Sequence, residues 1–191
     1  TRAAAILVVP LLISSLFFSY LYYTTGRNVK TGASVVFAEI SSMPGTITRL
    51  VLPDQSVVWL NAGSRLVYPS VFDEKERKVQ LFGEGYFEVE ADPEHPFSVS
   101  TSEGLRVIAY GTKFNVNAYD DEPFIEAVLE KGKIDVIRND ERIRLEPNKQ
   151  VVLNKESGVF RVSAVNLDEK MDWRKGAAAW KQSQQYSSQR H

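Results

Sequence analysis

The stretch Val79-Gln80-Leu81-Phe82-Gly83-Glu84-Gly85-Tyr86-Phe87-Glu88-Val89-Glu90 decides the fold. Val79 and Leu81 fall on one face of an extended strand, and Phe87 and Val89 on one face of the run that follows. Tyr86, Glu88 and Glu90 take the opposite face, the period-two alternation of a half-buried strand. Gly83 and Gly85 separate the two runs, and glycine inside a strand pattern marks a bulge, a bend or a close backbone approach. The reading is one long strand folded over a glycine corner, with Phe87 pinned into a core. Strand-and-turn patterns continue on both sides, so this is the middle of a β domain.

Outward from that corner, short extended runs recur with turns every eight to twelve residues. The turns include Met43-Pro44-Gly45, Pro53-Asp54-Gln55-Ser56, Asn61-Ala62-Gly63-Ser64, Glu130-Lys131-Gly132-Lys133 and Arg138-Asn139-Asp140-Glu141. Pro53 pre-sets its own backbone angle and Asp54 bonds locally. The segment 71–77 reads as a charged excursion, and His95 as a loop residue between Asp92-Pro93 and Pro96. In 113–119, Phe114 and Val116 point one way and Lys113, Asn115 and Asn117 the other. About a dozen such strands predict an all-β fold, a jelly-roll-like antiparallel β-sandwich.

The N-terminus differs. Residues 3–25 carry no charge, with Arg2 and Arg27 flanking them. As a helix they span roughly 35 Å, enough for a ~30 Å hydrocarbon core. Their Leu, Ile, Val and Phe residues favour insertion by roughly 3–7 kcal/mol. Phe17, Phe18, Tyr20, Tyr22 and Tyr23 crowd one end like an interfacial aromatic belt. A cleaved signal peptide fits less well, because its apolar region is shorter and Tyr22-Tyr23-Thr24-Thr25 is a poor cleavage site. The expected organisation is a single transmembrane helix over 1–27, a linker over 28–34, the β domain over 35–165, and a connector with a disordered or truncated tail over 166–191. Within the last segment, 167–173 could start a helix. Local charge does not set the orientation: Arg2 precedes the span and Arg27 and Lys30 follow it.

Composition narrows the function. A net charge of -1 gives no reason to expect nucleic acid. The absence of cysteine excludes disulfides, thiolate metal sites and cysteine nucleophiles. His95 and His191 are too few for a histidine-rich metal centre. No cofactor is expected. Glu84, Glu88 and Glu90 invite a paired-carboxylate reading, but a glycosidase pair must converge on one cleft, and Glu88 and Glu90 share one strand face and read better as solvated. Arg142, Arg144 and Arg161 read as edge-strand charges that block sheet-to-sheet pairing. Trp59 lies mid-strand and reads as core; a surface tryptophan there would instead suit a sugar platform.

Several ordered motifs carry a resemblance. Leu52-Pro53-Asp54-Gln55-Ser56-Val57-Val58-Trp59-Leu60-Asn61-Ala62-Gly63-Ser64 closely resembles a signature of the FecR family. So do Leu66-Val67-Tyr68-Pro69, Phe82-Gly83-Glu84-Gly85-Tyr86-Phe87-Glu88-Val89 and Pro96-Phe97-Ser98-Val99. Gly111-Thr112-Lys113-Phe114-Asn115-Val116-Asn117-Ala118-Tyr119 and the Val128-Leu129-Glu130-Lys131-Gly132 hairpin also match. The resemblance covers about 35–173. It departs at Gln55, where the family favours glycine, and at Gly85, where alanine is common.

The resemblance implies a single-pass protein of the cytoplasmic membrane with its β domain in the periplasm. It implies an anti-σ factor that binds an extracytoplasmic-function σ factor through a cytoplasmic segment, which this sequence does not show. The signal would come from the signalling domain of an outer-membrane TonB-dependent transducer, for uptake of iron chelates or glycans. A small secretin/TonB-like domain expected after Trp173 is replaced by the Gln/Ser-rich tail. The resemblance implies no enzyme, save that some FecR-like proteins are thought to cleave themselves at the Gly-Thr that here is Gly111-Thr112. Two other classes stay open: a membrane-tethered periplasmic carbohydrate-binding module, and, disfavoured by the site inventory, a tethered glycan-active enzyme.

Overall fold

The computed structural model describes residues 12–21, 35–170 and 173. It divides into two units, 1–35 and 36–191. In the first, residues 12–21 form helix α1, with Leu12, Ile13, Leu16, Phe17 and Phe18 exposed. The remainder of the expected anchor lies outside the described residues, and no described helix is long and apolar enough to cross a membrane.

The second unit is mostly strand. Among the described residues it holds β1 (Phe37–Ser41), β2 (Thr48–Val51), β3 (Val57–Leu60), β4 (Arg65–Pro69), β5 (Arg77–Glu88), β6 (Phe97–Ser100), β7 (Arg106–Ala109), β8 (Lys113–Ala118), β9 (Phe124–Lys131), β10 (Ile134–Arg138), β11 (Glu141–Leu145), β12 (Lys149–Asn154) and β13 (Phe160–Ala164). A short helix α2 (Leu167–Lys170) follows.

All thirteen strands belong to one curled sheet, and β5 is its hinge. The first part of β5 pairs with β4 and β6; from Gly83 on it pairs with β3 and β8. The sheet therefore has two halves: β1-β4-β5-β6-β7-β10-β11 and β2-β3-β5-β8-β9-β12-β13. One apolar cluster joins them, with Leu66, Leu81, Phe97, Val107 and Ile134 from the first half and Val58, Leu60, Phe87, Phe114 and Leu129 from the second. Phe87 is fully buried, stacked on Phe114 at 5.1 Å and tilted against Phe97 at 6.1 Å.

The corner needs glycine at 83. Its φ is +87°, and a Cβ there would lie 2.6 Å from Ser64 Oγ and 3.0 Å from Ser64 Cα, inside any tolerable contact. Ser64 Oγ uses that space to accept the Glu84 N–H at 2.8 Å.

Three expectations are corrected. The sheet is not wholly antiparallel: β6 runs parallel to the start of β5. Parallel neighbours need a crossover; here the second part of β5 carries the chain into the other half, and the loop 89–96 brings it back beside Arg77. Arg77 does not belong to a solvated excursion either, being only 4% exposed. Tyr86 is fully buried rather than solvent-facing, for a reason given below.

Gln55 occupies the left-handed region, with φ of 70°. It closes the 52–56 turn, where the Gln55 N–H reaches Leu52 O at 3.0 Å and the Leu52 N–H reaches Ser56 O at 2.8 Å. A left-handed residue after the turn is where hairpins of this length place glycine. A non-glycine residue there loses about 1–2 kcal/mol, against which glycine loses roughly 0.5–1 kcal/mol of chain entropy. Gln55→Gly is therefore expected to stabilise the domain by about 0.5–1 kcal/mol. The readout is a rise of roughly 2 °C in Tm; an unchanged or lower Tm would refute the assignment of strain to this residue.

Candidate functional site

The motif residues converge on three places around β5. The first is the crossover clasp. Arg77 donates its backbone N–H to Pro96 O, its Nε–H to His95 O at 2.8 Å and an Nη1–H to Glu90 O at 3.1 Å. Nη1 also pairs with Asp54 Oδ2 at 2.7 Å. Asp54 in turn accepts the Ser56 N–H and hydroxyl, and Ser56 Oγ accepts the Glu90 N–H. Leu52 and Val89 are buried beside this clasp, and Pro53 stays exposed on the turn.

The second is the corner itself. Glu84, 9% exposed, accepts Asn61 Nδ2–H at 2.7 Å and Asn115 Nδ2–H at 2.8 Å. Burial pushes its carboxyl above the usual range, and the two amides pull only partly the other way. Tyr119 completes the corner, donating to Ala62 O and accepting from Ser64. Gly63 supplies a φ of +70° in the adjoining turn. Glu88 goes instead to Lys113 Nζ at 2.9 Å, and Glu90 is exposed. The three glutamates thus have three separate environments, which does not suit an acid/base pair. Glu84 is not solvated, and neither is Asn115, at 3% exposure.

The third place is the Gly111-Thr112 joint between β7 and β8. Gly111 has φ of +117°, and a Cβ on it would lie 2.7 Å from Ala91 Cα. Gly132, from the β9–β10 turn, presses from elsewhere: its Cβ position is 2.6 Å from Thr112 Cγ2 and 2.9 Å from Gly111 O. Thr112 is 3% exposed; its carbonyl accepts the Val89 N–H, and its hydroxyl has no hydrogen-bond partner. Phe114 and Val116 beyond it are fully buried. Nothing in the sequence pointed to Ala91, and Gly132 was legible only as part of the β9–β10 hairpin turn.

The remaining assignments fall away from these centres. His95 is a loop residue bonded to Asp92 at 2.8 Å. Arg142 and Arg144 do lie on edge strand β11, but both also hold Asp135, itself 1% exposed. Hydrogen bonds from Arg144 and then Arg142 keep that carboxyl below its usual range, against the opposing pull of burial. Arg161 is exposed on edge strand β13. Trp59 is not part of the main core: it points to the outer face of the second half, packs edge-on to Tyr86 at 5.6 Å and lies under Arg49. Among the described residues no cluster of three or more His, Asp or Glu is placed to hold a metal ion.

This arrangement of motifs on β5 can be compared with known proteins. A model of the family described as FecR protein matches residues 38–135, just over half of the chain. The chain belongs to the FecR family. The match takes in the clasp, the corner and the joint. Two crystal structures of a candidate anti-sigma factor from Parabacteroides distasonis, at 2.50 and 1.65 Å resolution, are similar to the FecR chain described here. The first is 33% identical with a TM-score of 0.71, over 74% of this chain and 66% of that one. The second is 33% identical with a TM-score of 0.70, over 73% and 65%. The chain thus spans just under two thirds of the length of those relatives. No matching relative is found among the curated proteins.

Proposed function

We propose that this FecR protein regulates a σ factor. The observation that carries the reading is the likeness, at 33% identity over 74% of the chain, to a candidate anti-sigma factor. In the finer version, residues 3–25 anchor it in the cytoplasmic membrane and the β domain stands in the periplasm. There it takes the signal of a TonB-dependent transducer and passes it to an extracytoplasmic-function σ factor. The two sheet halves around one core support a jelly-roll-like sandwich as the receiving body. Gly111-Thr112 is the point at which the chain would cleave itself, supported by the glycine and the unpartnered threonine hydroxyl. The carbohydrate-binding alternative is weaker, because the face bearing Trp59 is packed by Val165, Leu167 and Trp173.

The test is a pull-down of the tagged protein, expressed from its whole coding region, out of solubilised membranes. A σ factor is expected in the eluate. Recovery from the membrane fraction with glycan-processing proteins and no σ factor would favour the alternative, and absence from that fraction would overturn the anchor.

A further inference from the structure

Among the described strands, each half of the sheet ends in strands with a single neighbour: β1 and β11 in the first half, β2 and β13 in the second. Such an edge offers unpaired backbone N–H and C=O groups, and charged side chains are one way proteins keep stray strands off it. Three of these edges carry at most one cation. Arg49 on β2 lies over Trp59, Arg161 stands on β13, and β1 holds only Glu39, paired with Arg65 of its neighbour. The fourth edge differs. On β11, Leu145 is buried and Ile143 packs against the main core, so Arg142 and Arg144 alternate with them onto the outer face of the first half.

These two arginines are held in place. Asp135 lies directly opposite Arg144 across the β10–β11 ladder and is 1% exposed. It accepts the Nε–H of Arg144 at 2.9 Å and an Nη2–H at 3.1 Å, and an Nη2–H of Arg142 as well. One buried carboxylate thus fixes two cations and neutralises only one. Most N–H groups of both guanidiniums remain unspent, and the side chains stay 63% and 53% exposed. Arg106 adds charge of the same sign: it closes the outer row Arg142-Ile137-Arg106 and makes no ion pair among the described residues. The nearby acids do not cancel this surplus, since Glu141 lies on the opposite face of β11 and Glu146 is drawn to Lys149 at 3.8 Å. Between the two arginines, Ile143 touches the core and stays partly exposed at the edge.

We propose that β11 is a docking edge for an extended acidic segment of another protein, which adds as a further strand with acidic residues opposite Arg142 and Arg144 and an apolar residue opposite Ile143. Strand addition takes its affinity from main-chain hydrogen bonds and its choice of partner from alternate side chains. Opposite charges directly across a ladder attract and like charges repel, so the arginines that turn away a basic strand select an acidic one. A second copy of β11 does not fit, because it would set arginine against arginine. The docking edge holds whether or not the protein regulates a σ factor.

The probe is a fluorescent peptide of alternating glutamate and valine, titrated into the full chain in a non-ionic detergent. Its anisotropy is expected to rise to saturation, with an affinity roughly ten-fold or more above that of the same peptide with lysine for glutamate. Methylating the backbone nitrogens along the pairing edge of the peptide should abolish binding. Amide hydrogen exchange of the protein should slow over 141–145 and stay unchanged over the other edges, 37–41, 48–51 and 160–164. Arg142→Ala and Arg144→Ala each leave Asp135 one cation, and each should weaken binding roughly two- to five-fold; Arg161→Ala should leave it unchanged. Should either β11 variant fold poorly, the lysine and methylated peptides decide the matter on the wild-type chain. Absence of binding, equal affinity for the glutamate and lysine peptides, binding that survives methylation, or protection falling on another edge would overturn the proposal.

Discussion

Arg77→Ala is expected to destabilise the β domain by about 3–5 kcal/mol, because it takes the cation from a largely buried acid and the donor from two carbonyls. Arg77 is 5% accessible in its side chain and Asp54 12%, so solvent cannot readily replace the lost partner. The effect should exceed that of a surface ion pair, which is worth under about 1 kcal/mol. Its reach comes from topology: one guanidinium ties the 52–56 turn to the 89–96 crossover that makes β6 parallel to β5. In thermal unfolding this appears as a fall in Tm of roughly 10 °C. Arg77→Lys keeps the charge without the fork and should recover only part of the loss. A double-mutant cycle with Asp54→Ala should show coupling above about 1 kcal/mol. A loss below that for Arg77→Ala alone would mean that the crossover holds without the clasp.

The clasp also shows where reading the sequence reaches its limit. Alternation gave Phe87, Phe114 and Val116 their inward faces, because period two assigns a face whatever the strand's partners are. It could not say whether the other face is open to water. Tyr86 looked polar and solvent-facing because what packs on it, Val165, Leu167 and Trp173, lies far along the chain. Arg77 sat in a charged run whose local text is hydrophilic; only the return of the crossover loop buries it. Trp59 was misplaced for the same reason, its neighbours on the outer face being long-range. The glycine at 83 was legible as a corner, since that residue type answers a local backbone demand. Gln55 was legible as a departure from the family pattern, and its positive φ explains why the family prefers glycine there.

Incubated as a purified domain, the chain is expected to separate at Gly111-Thr112 into two pieces that stay together until denatured. The bookkeeping of the step is simple. Thr112 Oγ attacks the Gly111 carbonyl carbon, the C–N bond breaks, and the hydroxyl proton ends on the departing nitrogen, which becomes the free amine of Thr112. The ester so formed takes up one water, yielding a Gly111 carboxylate and restoring the hydroxyl. One feature of the surroundings favours the first part: the Thr112 hydroxyl is buried with no hydrogen-bond partner among the described residues. Association afterwards follows from pairing across the cut, because β8 remains on β5 and β10 remains on β7. Denaturing electrophoresis with mass spectrometry should find fragments whose masses sum to that of the chain plus one water. Thr112→Ala should abolish the cut, whereas Thr112→Ser, which keeps the nucleophile, should retain it. Gly132→Ala, whose new methyl would meet Thr112 Cγ2 at 2.6 Å, should change the rate by moving the hydroxyl, with the site of cleavage unchanged. An intact wild-type chain after prolonged incubation would retire the reaction, and cleavage surviving in Thr112→Ala would assign it to a contaminating protease.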